Sequence, residues 1–229
     1  MKNKKLAKAT AVCALAGVML IGGAMAYFTD TDTATNEFTV GKVSIDLKEP
    51  GWTPPTDITP NQEITKDPQI TNDGKNSAYV FLQVKVPKKS VITANEDGTK
   101  NTPAAEKELF TYQVKSGWTE INKAAEETIG DQKYNVHTYV WGSADACTAL
   151  DKTATTGSLF DSIKFINVIE GEGLEETQLD VIVDAYGIQT TDINGDKTAP
   201  LDVWAVLHKQ TPTVDSVNLP EAGDPDVGA

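Results

Sequence analysis

The chain has 229 residues and a formal net charge of −13, from 20 basic and 33 acidic residues. Every basic residue is a lysine, and without arginine neither a basic nucleic-acid surface nor a bidentate phosphate clamp is expected. At the start, Lys2, Lys4, Lys5 and Lys8 precede an apolar run over about residues 10–21. That run falls short of the roughly 20 residues needed to cross a bilayer. Ala24-Met25-Ala26 is the small-x-small pattern that signal peptidase accepts, so residues 1–26 read as a signal peptide cleaved between Ala26 and Tyr27. Losing its four lysines moves the charge from −13 to about −17 and leaves enough chain for one domain with a sizeable core. Cys13 leaves with the signal. Cys147 then stands alone, with no partner for an intramolecular disulfide.

Behind the cleavage site runs Ala26-Tyr27-Phe28-Thr29-Asp30, a Thr/Asn-rich spacer, and Asn36-Glu37-Phe38-Thr39-Val40-Gly41-Lys42-Val43. This stretch resembles the amino-terminal signature of the camelysin/TasA family, the secreted fibre subunits of Gram-positive biofilm matrix matured by a dedicated signal peptidase. Two later stretches are also similar to that family. One is a glycine-containing threonine run leading into Leu159-Phe160-Asp161. The other is Ala185-Tyr186-Gly187-Ile188-Gln189, which is close to the family's closing Ala-Tyr-Ala-Ile-Gln. The resemblance implies an extracellular matrix or cell-surface location and a fibre built by self-association, with an accessory or anchoring subunit as a further partner. Because camelysin is classed as a metallopeptidase, it also implies a rival enzymatic reading.

Onward from Val43, period-2 alternation slips near Gly41-Lys42, which suggests a bulge or bend in the first strand. Residues 49–60 carry four prolines and read as a crossing loop. Residues 64–71 form a weak edge strand demoted by Pro68, followed by an Asn72-Asp73-Gly74 turn. The clearest strand spans 78–86, where Val80, Leu82, Val84 and Val86 alternate with Tyr79, Phe81, Gln83 and Lys85. Residues 88–157 read as a mixed insertion. It opens with a short helix from Thr102-Pro103 to Leu109 and continues with strands at 110–115, 118–122 and 133–141. Further strands are expected at 159–169 and 178–189, the latter with Leu179, Val181, Val183 and Ala185 on one face. Residues 200–209 have helical spacing, and 210–229 read as a disordered acidic tail. The sum is an all-β chain. Its body, residues 43–209, is an antiparallel β-sandwich of jelly-roll type with a short C-terminal helix.

The chemistry is sparse. His137 and His208 lack the Glu-x-x-His spacing of a zinc peptidase, Cys147 has no histidine near it in sequence, and Asp192-x-Asn194-x-Asp196 misses the glycine and glutamate of a calcium loop. No catalytic residue, metal ligand or cofactor site is assigned. Tyr79, Phe81, Tyr139 and Trp141 would form a glycan- or protein-binding face if exposed together, the reading of a monomeric surface module. The leading expectation is assembly. A first strand lying directly behind the cleavage site can be lent to a neighbour, main-chain hydrogen bonds supplying affinity and alternate side chains filling pockets. Residues 27–42 would be that donor segment, with Tyr27, Phe28, Phe38 and Val40 as anchors, and head-to-tail repetition would give a filament. Once the signal is gone, neither membrane nor nucleic acid is an expected partner.

Overall fold

A single 17-residue strand, β4 (Ala78–Ala94), organises the molecule. The computed structural model describes residues 43–175, 177–193 and 195–210. The cleavage residues Ala24, Ala26 and Tyr27, the anchors Phe28, Phe38 and Val40, and the suspected bulge at Gly41-Lys42 lie outside them. Before β4 come β1 (Ile45–Lys48), β2 (Glu63–Thr65) and β3 (Gln69–Asn72). After it come β5 (Lys100–Glu108), β6 (Phe110–Tyr112), β7 (Trp118–Ile129), β8 (Gln132–Trp141), β9 (Ser162–Phe165) and β10 (Ile182–Gln189), then helix α1 (Pro200–Gln210). All strand pairings are antiparallel, in a five-stranded sheet ordered β10-β4-β8-β7 with β5 on β4, a three-stranded sheet β2-β9-β6, and the pair β1-β3. The fold is the all-β, antiparallel sandwich with a short C-terminal helix that the sequence implies.

The even residues of β4, from Ala78 to Val86, are wholly buried in the main core. Facing them are Ile64, Ile70, Phe110, Ile163 and Phe165 from the smaller sheets. Val181, Val183 and Ala185 pack on the same side, the phase expected from their alternation. Tyr79 and Phe81 point the opposite way, into a second core closed by α1 through Val203, Trp204 and Leu207. Pro200 occupies the first helical turn with Asp202, and His208 and Lys209 the last, as the helix dipole favours.

Several expectations are corrected. Residues 102–109 are not a helix but most of β5. The Asn95 amide donates to the Thr99 carbonyl at 2.8 Å, and Gly98 adopts φ 83°, so a tight turn returns the chain alongside β4. That turn and the ladder it starts override the Thr102-Pro103 cap signal. Residues 88–157 supply the end of β4 and four further strands, and β8 is the direct neighbour of β4. β7 and β8 meet through a two-residue Gly130-Asp131 turn, with Gly130 at φ 59°, which lengthens β7 well beyond 118–122. β10 begins at Ile182 rather than 178. Lys88 pairs with Lys133 on one edge and with Glu108 on the other, so β5 takes the edge along which β10 would otherwise extend. The stretch 64–71 divides into β2 and β3 at Lys66–Pro68, because each half belongs to a different sheet.

Candidate functional site

A groove of about 890 Å³ opens on the surface. Its floor comes from the three-stranded sheet, where alternation points Ile64, Ile163, Phe110 and Phe165 the same way. Phe110 and Phe165 are directly opposed in register, with ring centroids 5.4 Å apart and ring planes tilted by 44°. One wall is the proline-rich stretch from Trp52 to Pro60; the other runs from Val168 to Val181. The groove therefore opens directly onto the main core, since its floor residues are core residues.

The rim beside Trp52 is held by polar contacts. The Gly51 amide donates to Asp67 Oδ1 at 2.9 Å, tying the loop to the β2–β3 connection. Lys66 Nζ pairs with Glu49 at 2.8 Å and lies 4.6 Å from the centroid of the Trp52 ring. With Lys66 so engaged, Asp57, Glu170, Glu175 and Asp180 leave the mouth acidic. A smaller cavity of about 380 Å³ is lined by Lys88, Lys89 and Lys133. It is no anion site. Lys88 pairs with Glu106 and Glu126, Lys133 with Glu106, and Lys89 donates to the Gly173 carbonyl.

His137 has the most elaborate polar surroundings. Its Nε2 lies 2.8 Å from Glu108 Oε1 and its Nδ1 2.9 Å from Glu120 Oε1. Hydrogen bonding to Glu108, against the opposing effect of burial and with help from Glu120, raises the imidazole pKa above its ordinary value. Burial alone would raise the Glu108 carboxyl, but hydrogen bonds from His137 and Asn135 hold it below the usual range. Beside the ring, the Tyr112 and Tyr139 hydroxyls share a hydrogen bond of 2.9 Å. Burial pushes Tyr139 up to about 12 and Tyr112 further.

A catalytic zinc needs several ligands with free lone pairs grouped around it. A carboxylate at each nitrogen favours the doubly protonated imidazole, which offers a metal no lone pair. His208 instead lies beside Trp204, with ring centroids 5.9 Å apart and planes tilted by 30°. Among the described residues no three His, Cys, Asp or Glu side chains are grouped to hold a metal ion. Cys147 is buried in the second core, and burial raises its thiol to about 11, so it stays protonated at neutral pH. The described residues do not fit a catalytic zinc.

The aromatics expected as a binding face are divided between two faces. Tyr79 and Phe81 lie under α1, whereas Tyr139 sits opposite Leu82 on the main-core side. Three of the four are buried and Trp141 is half-buried, so they form no exposed patch. What sequence reasoning missed is the groove. Its only local signal was a tryptophan among prolines at Trp52-Thr53-Pro54-Pro55.

Fold and site together define an all-β sandwich with an acidic-mouthed, apolar-floored groove. Residues 1–109 match the camelysin metallo-endopeptidase family, in agreement with the resemblance carried by the opening signature. No curated protein and no solved structure matches the chain. Both histidines, His137 and His208, fall outside the matched stretch.

Proposed function

We propose that this protein is a secreted structural subunit of extracellular fibres, which polymerises head to tail by lending its N-terminal strand to the next subunit. Export and cleavage after Ala26 would free Tyr27, and residues 27–42 would enter the groove of a neighbour. The observation that carries this reading is the groove itself, a surface opening floored by Ile64, Phe110, Ile163 and Phe165. An extended segment with spaced apolar side chains is the ligand such a floor suits. The exposed edges favour the groove over plain edge pairing. β7 is broken by two register shifts, and β5 carries Pro103 among charged residues.

The family's printed name favours a second reading, a cell-surface metallopeptidase. Against it stands the matched stretch, which contains no histidine at all, so a histidine-based zinc centre is not what this chain shares with the family. Electron microscopy of protein beginning at Tyr27 tests the fibre reading, with a variant lacking residues 27–36 alongside. Fibres from the first and folded monomers from the second are expected. Equal polymerisation of both would end strand donation from this terminus. Zinc-dependent casein digestion by the purified protein would move the balance to the enzyme.

A further inference from the structure

Glu120 and His137 are not facing partners in the β7–β8 ladder. Glu120 pairs with Tyr139, and the register shifts before Asn122 pairs with Thr138, so two residues of β7 oppose one of β8. The contact from Glu120 to His137 Nδ1 therefore crosses this bulge diagonally. On its other side the ring reaches Glu108, the last residue of β5. One imidazole thus joins β5, β8 and the edge strand β7. We propose that His137 is a proton-operated staple of the β7 edge, closed when the ring is charged and open toward Glu120 when it is neutral.

A neutral imidazole has one N–H and one lone pair, so it satisfies one carboxylate and repels the other. Glu108 also accepts a hydrogen bond from Asn135 at 2.7 Å, and its side chain is 27% exposed against 39% for Glu120. Glu120 is the partner that turns to solvent. Among the described residues, the charged and titratable groups around the ring are Glu108 from β5, Tyr112 from β6, Glu120 from β7 and Tyr139 from β8. Lys88 of β4 acts on Glu108 but is already paired with Glu106 and Glu126. The ring's pKa is raised, so the staple is fully closed below the ordinary imidazole value and opens as pH rises through the folded one. Glu108 is shifted down, so its contribution holds above the ordinary carboxylate value and disappears as pH falls through its own folded value. The staple is therefore closed in weakly acidic solution.

Hydrogen exchange on the full chain reads this directly. Protection of β7 amides is compared with that of β4 amides between about pH 6 and about pH 9, after correction for intrinsic rates. The ratio is expected to fall by about tenfold for each unit by which the ring's pKa exceeds its ordinary value. In His137→Gln the ratio should not change with pH. Glu120→Gln, which keeps the ring, should leave β7 poorly protected throughout and bring the ring's NMR titration nearer to that of free imidazole. A pH-independent ratio in the unaltered chain, or the same pH dependence in His137→Gln, overturns the proposal. So does a ring in the unaltered chain that titrates like free imidazole.

Discussion

Ile45 packs against Gly187 so closely that a Cβ on the glycine would stand 3.0 Å from its Cγ2. The contact presses β1, the first described strand, onto β10. Gly187 also stands where the resembled family motif has alanine. Gly187→Ala should destabilise the fold by about 1–3 kcal/mol, the usual cost of overpacking. Ile45→Val removes a methyl group from the contact and should recover part of that loss. A double-mutant cycle by urea denaturation checks the coupling. Additive effects would mean the two residues do not meet in solution.

Phe165 and Leu82 share the main core, but only Phe165 also lines the groove. Both truncations should destabilise, Leu82→Ala by about 2–5 kcal/mol and Phe165→Ala by about 3–5 kcal/mol. Under conditions where both variants are folded, only Phe165→Ala should slow fibre growth. Thermal melts followed by growth assays below both transitions make the comparison. Equal slowing would assign the effect to stability instead of to the groove.

The second core offers a chemical readout. Cys147 is the single cysteine after residue 26, its amide donates to the Thr198 carbonyl at 2.8 Å, and it lies in the cluster that α1 closes. A thiol reagent at about pH 8 should label the protein slowly, because the thiol is buried and protonated. Trp204→Ala removes ring contacts to Phe81 and Tyr186 at 5.2 and 5.3 Å, and labelling should accelerate at least tenfold. Fast labelling of the unaltered protein would mean that α1 does not cover this core.

What the sequence made legible follows from local signals. The alternation of Val80, Leu82, Val84 and Val86 marked the central strand, and the spacing of Leu201, Trp204, Ala205 and Leu207 marked the helix. The error over residues 102–109 arose because Thr102-Pro103 is a fair cap by itself, while its competitor, the Asn95–Thr99 turn, depends on pairing with β4. The groove was illegible for a different reason. Ile64, Phe110 and Phe165 are far apart in sequence, and only the pairing of β2 and β6 on the two edges of β9 brings them to one floor. The His137 cluster has the same origin, because Glu108 and Glu120 come from separate strands.

Charge makes the last prediction. The proposed donor carries Asp30, Asp32 and Glu37 against the single lysine Lys42, a net negative charge, and the groove mouth carries Asp57, Glu170, Glu175 and Asp180. Among the described residues the one lysine lining the groove, Lys66, is already paired with Glu49. Donor and acceptor therefore repel before their apolar side chains meet. Salt shortens that repulsion, to a screening length of about 10 Å at about 0.1 M. Fibre growth at fixed subunit concentration should accelerate as sodium chloride rises from about 0.01 M toward about 0.1 M. The combined change Asp30→Asn, Asp32→Asn and Glu37→Gln should raise growth at low salt and flatten the salt dependence. Light scattering follows both. Growth that slows with salt, or a triple variant with the salt dependence of the parent, would mean that these carboxylates do not approach the acidic rim.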